Sequence, residues 1–188
     1  MIGDYRIHGY AIVSEDNCIS SGDGTRPRQL RGTAGRARLQ AAQDGAVVTV
    51  LGRRAHRMRS NASGRNRLVM SGSAKGIEQR DGAWWWNPRD APAEAALRQA
   101  APGGGIAVVF GGRRLFDLFL GLGFDEFHLA RANGVRVPDG VPVFSAVGQG
   151  FSPEEVLARH GMTAGPSEVL DSENGISLVV WRRNGGPA

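Results

Sequence analysis

Apolar residues reach this chain in short runs, and between the runs the spacing lengthens to that of a helix. Tyr5 to Val13 (YRIHGYAIV) is rich in β-formers and bounded by the polar stretch Ser14 to Asn17, which predicts a first strand. Cys18 to Arg31 reads as a loop of Gly, Ser and Pro. Ala34 to Gln43 lacks Pro and is built from Ala, Leu and Arg, so it predicts a helix closed by Asp44-Gly45. Ala46 to Leu51 (AVVTVL) is almost wholly apolar, as strands buried on both faces are, and such strands pair in parallel through helical crossovers. A basic loop, Arg53 to Arg67, leads to a second buried run at Leu68 to Met70, and Ala83 to Trp86 is a further short strand.

Asp90-Ala-Pro-Ala-Glu offers an N-cap, a first-turn proline and an acid behind it, predicting a helix to Ala100. Ile106 to Phe110 (IAVVF) is the next buried strand. It runs into Gly111-Gly112 and an amphipathic helix from Arg113 to Leu120, with Leu115, Phe116, Phe119 and Leu120 on one face. Phe124 to Ala130 alternates as a strand, and Ser152-Pro-Glu-Glu is a capping-box start for a helix to His160. Glu168 to Leu170 and Ile176 to Trp181 read as a closing antiparallel pair. Strand and helix alternate, so the expected class is α/β, with ligands at the carboxyl ends of the strands.

Composition narrows this picture. At 188 residues the chain suits one domain. The single cysteine, Cys18, excludes an internal disulfide and any multi-cysteine metal site. No apolar run is long enough to span a bilayer, and Met1 to Tyr10 lacks the pattern of a signal peptide, so a cytoplasmic protein is expected, with no membrane partner. The net charge is +5, carried by 22 arginines and one lysine, Lys75. Eleven of the arginines fall between Arg26 and Arg67 against one acid, Asp44, which points to an anionic ligand near the first third. A nucleotide or phosphorylated small molecule would serve there as well as a polynucleotide.

Two strand-to-helix junctions carry the most chemistry. AVVTVL is followed by Gly52-Arg53-Arg54, and IAVVF by Gly111-Gly112-Arg113-Arg114. Glycine at the end of a buried parallel strand lets a ligand approach the backbone, and the arginines add charge for phosphate. Two such sites suit a dinucleotide. Neither G-x-G-x-x-G nor a P-loop is present, which removes the usual Rossmann dehydrogenases and NTPases. His8, His56, His128 and His160 show no ligand spacing, so no metal centre is expected.

In order, Gly52-Arg53, a loop holding Gly64-Arg65, Leu68-Val69-Met70-Ser71, then Gly111-Gly112 with its Leu115-Phe116 helix, Phe124-Asp-Glu-Phe-His-Leu and Pro142-Val-Phe144 resemble the dihydrofolate reductase-like superfamily. That superfamily also contains the reductase domain of riboflavin biosynthesis. The resemblance implies a mostly parallel eight-stranded sheet flanked by helices, with an antiparallel C-terminal strand, and NADPH as hydride donor. Gly52, Arg53 and Arg54 would meet its phosphates, and Ser71 would lie near the 2′-phosphate and adenine. Gly111 and Gly112, expected as a cis pair, would sit beneath it with Arg113, Arg114, Leu115 and Phe116 behind. Ala11 and Ile19 would touch the nicotinamide. Arg65 matches the arginine that grips the glutamate of folates, and Arg26, Arg28, Arg31, Arg36 and Arg38 would lie on the substrate side.

The same comparison exposes departures. Reductases of dihydrofolate carry an Asp or Glu early in the first helix, whereas Thr33-Ala-Gly-Arg-Ala-Arg38 has none, and Ala130 stands where a partner threonine is expected. Asp23 is the nearest alternative acid, ahead of Glu15 and Asp16. The leading expectation is therefore an NADPH-dependent reductase of a C=N bond in a pterin. A reductase of a phosphoribosylaminopyrimidine is the enzymatic alternative, and a non-catalytic nucleotide- or nucleic-acid-binding protein the alternative from another class. A homodimer stays open. Trp84-Trp85-Trp86 is assigned to core packing, with adenine stacking as the alternative.

Overall fold

The computed structural model describes residues 2–31, 33–59, 61 and 64–185, and within them not the side chains of Arg31, Thr33 and Ala34. Parts of the expected 53–67 loop (Ser60, Ala62, Ser63) and the substrate-side placing of the Arg31 side chain thus lie outside the described residues.

The chain begins with β1 (Tyr5–Ser14), β2 (Cys18–Ser20), α1 (Thr33–Asp44), β3 (Val48–Gly52), α2 (Arg53–Met58) and β4 (Arg67–Met70). There follow β5 (Ile77–Arg80), β6 (Ala83–Trp86), α3 (Ala93–Ala100), β7 (Gly105–Phe110) and α4 (Arg113–Leu122). The last part holds β8 (Glu126–Ala132), β9 (Val141–Pro142), α5 (Pro153–Arg159), β10 (Met162–Asp171) and β11 (Ile176–Arg183). Nine strands form one sheet in the order β10-β11-β8-β1-β7-β3-β4-β6-β5. From β8 to β6 the neighbours are parallel, while β11, β10 and β5 join antiparallel.

The sheet thus has nine strands where eight were expected. The unforeseen β5 contains one apolar residue, Ile77, and forms the exposed edge, so it has no hydrophobic run to announce it. Its signal is the Asp81-Gly82 turn, both residues at positive φ, which closes a two-residue hairpin onto the tryptophan strand β6. Two expected loops also contain structure. Arg53 to Met58 has neither Gly nor Pro and winds into α2, and Cys18 to Ser20 pairs with β9. At α3 the N-cap is Pro92 rather than Asp90, whose carboxylate instead accepts from the Gly76 N–H and the Asn87 side-chain amide. The capping box at Ser152 and Glu155 and the buried stripe of α4 are as the pattern predicts.

Strand alternation gives the sheet two unlike faces. On one, Ile7, Val50, Val109, Phe127 and Leu129 join side chains of α3, α4 and α5 in one continuous core. Gly9 belongs to this face because an added Cβ would stand 2.3 Å from the Phe127 ring. On the other, two smaller clusters form. One gathers Ile12, Ala130, Leu178 and Val180, and the other Leu51, Val69, Ala83, Trp85 and Ala55. The strands between these clusters carry Tyr10, Phe110 and His128 on this face, and there the cleft opens.

Candidate functional site

The cleft has a volume of about 780 Å³, within the usual range for small-molecule sites. Its geometry starts at two glycines. Because β3 and β7 are paired neighbours with Leu51 opposite Phe110, Gly52 and Gly111 leave adjacent strands side by side. Both glycines and Gly112 line the cleft, and a Cβ placed on Gly52 or Gly112 would meet nothing within 4 Å. Gly111 and Gly112 turn the chain into α4 with φ of 99° and 71°, a conformation that disfavours any side chain. No peptide bond among the described residues is cis, which corrects the expected cis pair: the two left-handed glycines make the reversal.

Seven arginines line this cleft, and among its described lining residues there is no Asp or Glu. Arg36 and Arg38 come from α1, Arg54 from α2, Arg59 from just beyond it, Arg65 and Arg67 from the approach to and start of β4, and Arg26 from the loop after β2. Several have partners. Arg65 makes contacts of 2.5 and 2.7 Å to Asp44 at the end of α1, Arg67 donates to the Arg59 carbonyl, and Arg59 lies over the Phe110 ring. Arg54 packs against Gly24, whose φ of 78° and missing side chain permit the approach.

Of the residues singled out by sequence, Ala11, Ile19, Gly52, Arg54, Gly111, Gly112, Phe116, Arg36 and Arg65 line the cleft. Arg53, Ser71, Arg113, Arg114 and Leu115 do not. Arg53 and Arg114 are exposed, and Leu115 is buried in the core beneath α4. Ser71 is buried, its hydroxyl paired with that of Ser73. Ser73 lines a separate hollow of about 460 Å³ with His56, Arg57, Arg80, Asp81 and Trp85. Trp85 and Trp86 are both buried, on opposite faces of β6, and Arg80 covers the Trp85 ring at 4.1 Å.

Asp23 does not line the cleft. Its carboxylate accepts from the N–H and the hydroxyl of Thr25, and these bonds hold it below the ordinary range. A group so stabilised in its charged form is a poor proton donor. Tyr10, which carried no signal in the sequence, and His128, set aside there with the other histidines, lie opposite each other on β1 and β8 and stack with ring centroids 4.1 Å apart. Burial first, with Arg38 and His8 adding to it, pushes the His128 imidazole down to about 4, although Glu126 opposes the shift.

No family model matches the chain, and no curated protein matches it in sequence. Solved structures do. A protein named for riboflavin biosynthesis from Shewanella sp. PV-4 superposes with a TM-score of 0.68 at 16% identity, over 95% of this chain and 99% of that one. Dihydrofolate reductase from Enterococcus faecalis, complexed with NADP(H) and RAB-propyl, gives 0.63 at 15% identity, over 95% and 96%. The chain has the dihydrofolate reductase-like fold. A diaminohydroxyphosphoribosylaminopyrimidine deaminase/5-amino-6-(5-phosphoribosylamino)uracil reductase from Thermotoga maritima gives 0.67 at 14% identity, over 95% of this chain and 56% of that longer one. In this dihydrofolate reductase-like sheet, Gly52 and Gly111-Gly112 stand at the carboxyl-end rim where ligands of open α/β sheets bind, and the cleft runs from there across the open face to Arg67 at the start of β4. No helix among the described residues is long and apolar enough to cross a membrane.

Proposed function

We propose that this chain is an NADPH-dependent reductase acting on a phosphorylated heterocycle of the ribosylaminopyrimidine class. The observation that carries the reading is the pairing of Gly52 with Gly111-Gly112 at one rim of a cleft whose described walls hold seven arginines and no carboxylate. The open space over Gly52 and Gly112 is a cradle that side chains would fill, and it fits the passage of a dinucleotide. Bound there, a reduced nicotinamide supplies a hydride, which requires orientation and a dry site rather than a protein nucleophile.

The residues of this chain would divide the remaining work. Arg54 would face the phosphates with the glycine backbone, while Arg36, with Arg38 beside it in a looser 3.8 Å contact to Glu168, would hold an anionic substrate under α1. Tyr10, Ile12 and Ala130 shape the apolar floor. No wall carboxyl acid is available among the described residues, and His128 is neutral at ordinary pH, so the proton comes from solvent. This arrangement favours a phosphorylated substrate over a pterin. Arg65, which would grip a folate carboxylate, is already tied to Asp44. It also favours a small molecule over a polynucleotide, because these cations converge on a cleft instead of spreading along an outer face.

The test is NADPH oxidation with three acceptors: a phosphoribosylaminopyrimidine, its dephosphorylated counterpart and dihydrofolate. Turnover of the first, with KM raised at least tenfold on removing the phosphate, supports the reading. Preference for dihydrofolate restores the pterin assignment. Absence of any rise in melting temperature with NADPH, together with salt-dependent nucleic-acid binding, overturns the enzyme reading.

A further inference from the structure

The parallel register of β1 and β8 sets His8 opposite Glu126 and Tyr10 opposite His128, all on the open face of the sheet. Two histidines that are 120 positions apart in the chain are thereby brought beside one carboxylate. The Glu126 Oε2 atom is their shared neighbour, 3.1 Å from His128 Nε2 and 4.0 Å from His8 Nδ1. One donor atom from each of the three residues lies within 4.8 Å of the other two. We propose that His8, Glu126 and His128 form a binding site for a transition-metal dication of the zinc class beside the cleft, whose wall only His128 of the three lines.

The donor set selects the ion. Two imidazoles with one carboxylate suit Zn²⁺, Co²⁺ or Ni²⁺, whereas Mg²⁺ and Ca²⁺ take oxygen. Ligands around one tetrahedral ion stand about 3.4 Å apart. The Glu126–His128 edge, at 3.1 Å, is already near that spacing, and the site requires the His8 Nδ1 to draw in from its 4.0 Å distance to Glu126. The other oxygen, Oε1, is held at 3.1 Å by Arg182 Nε, which fixes the carboxylate and leaves Oε2 to the histidines. His128 is nine-tenths buried, its Nδ1 has no hydrogen-bond partner, and its Nε2 donates to Glu126 Oε2, so a bound dication would displace that one proton from between the two ligand atoms. Arg6 and Arg38 oppose a cation here, and Asp125 and Glu126 favour it. His8 and Glu126 retain partial exposure, which gives an ion its entry path and leaves a fourth position for water.

The experiment is calorimetric titration of tag-free protein with Zn²⁺, without cofactor or substrate, repeated with Co²⁺ while recording its visible absorption. One equivalent should bind with a Kd in the micromolar range or tighter, raise the melting temperature, and give Co²⁺ the intense spectrum of a four-coordinate site. His8→Ala and Glu126→Gln should each weaken Zn²⁺ at least tenfold, as should His128→Gln, while His160→Ala should not. His8 is the least buried of the histidine ligands, so His8→Ala keeps the test decisive if His128→Gln fails to fold. No saturable binding, or equal affinity in the His8 and Glu126 variants, overturns the site. Either result leaves the reductase reading standing, because neither NADPH nor substrate enters the measurement.

Discussion

One face of the central sheet is closed and the other is open, although the same strands make both. On the closed face, Phe127, Leu129 and Val109 meet Leu115, Phe116 and Phe119 of α4 without interruption. On the open face, the middle strands present Tyr10, His128, Phe110 and Arg67, which keep two apolar clusters apart. The helices there are poorly equipped to close the gap. α2 buries no residue, and at Gly35 α1 has no side chain to offer, where an added Cβ would stand 2.5 Å from Ile12. The cleft is therefore a consequence of which residues alternate outward, not of a missing element. Damage to the closed face should cost stability, and damage to the open face should cost ligand binding.

The largest effect expected is that of Phe127→Ala, which removes a fully buried ring and should destabilise by about 3–5 kcal/mol in a denaturant titration, with folding cooperativity reduced or lost. Next comes Gly9→Ala, which drives a Cβ into the Phe127 and Phe124 rings and should cost about 1–3 kcal/mol by overpacking.

Asp16 follows the end of β1, where its carboxylate accepts from the Val137 N–H and the Ser14 hydroxyl. Burial pushes its carboxyl up, but these hydrogen bonds, with Arg136 nearby, outweigh burial and hold it below 3.8. The unfolded chain thus takes the proton first. The contribution of Asp16 is complete above pH 3.8 and is lost as the pH falls through the lower native value. Asp16→Asn should cost about 1–2 kcal/mol near neutrality and flatten the acid limb of a melting-temperature profile. An unchanged limb would remove Asp16 from that role.

Gly112→Ala is the open-face counterpart of Gly9→Ala. Strain at a φ of 71° and a ψ of 125° should cost about 1–3 kcal/mol, whereas the new methyl enters the cradle and should weaken NADPH at least tenfold. A stability loss as large as that of Gly9→Ala, with NADPH binding intact, would dissolve the contrast between the faces. The smallest effect on stability is expected for the exposed Arg36→Ala, within about 0.5 kcal/mol, with its loss confined to the KM for a phosphorylated substrate.

The helices and buried strands were legible in the sequence because each depends on nearby residues. The stripe of α4, the capping box of α5 and the apolar runs of β3 and β7 have periods or caps that no distant contact overrides. The edge strand β5 was not legible from hydrophobicity, since an exposed edge needs no apolar run. The placing of site residues divides in the same way. Glycines at strand ends could be named from the chain, but arginines could not be sorted into cleft-lining and solvent-facing sets. Arg53 and Arg54 are neighbours in sequence, yet only Arg54 lines the cleft.

By itself the sequence determined an alternating α/β chain, two glycine-bearing strand ends, an excess of arginine in the first third and the absence of a first-helix acid. Only the tertiary structure decided that Gly52 lies beside Gly111, that seven arginines share one cleft, and that His8 and His128 meet across Glu126. Periodicity and capping act over a few residues and are written locally. Strand order and register, which bring distant residues together, are settled by which buried faces pack best once the whole chain has collapsed.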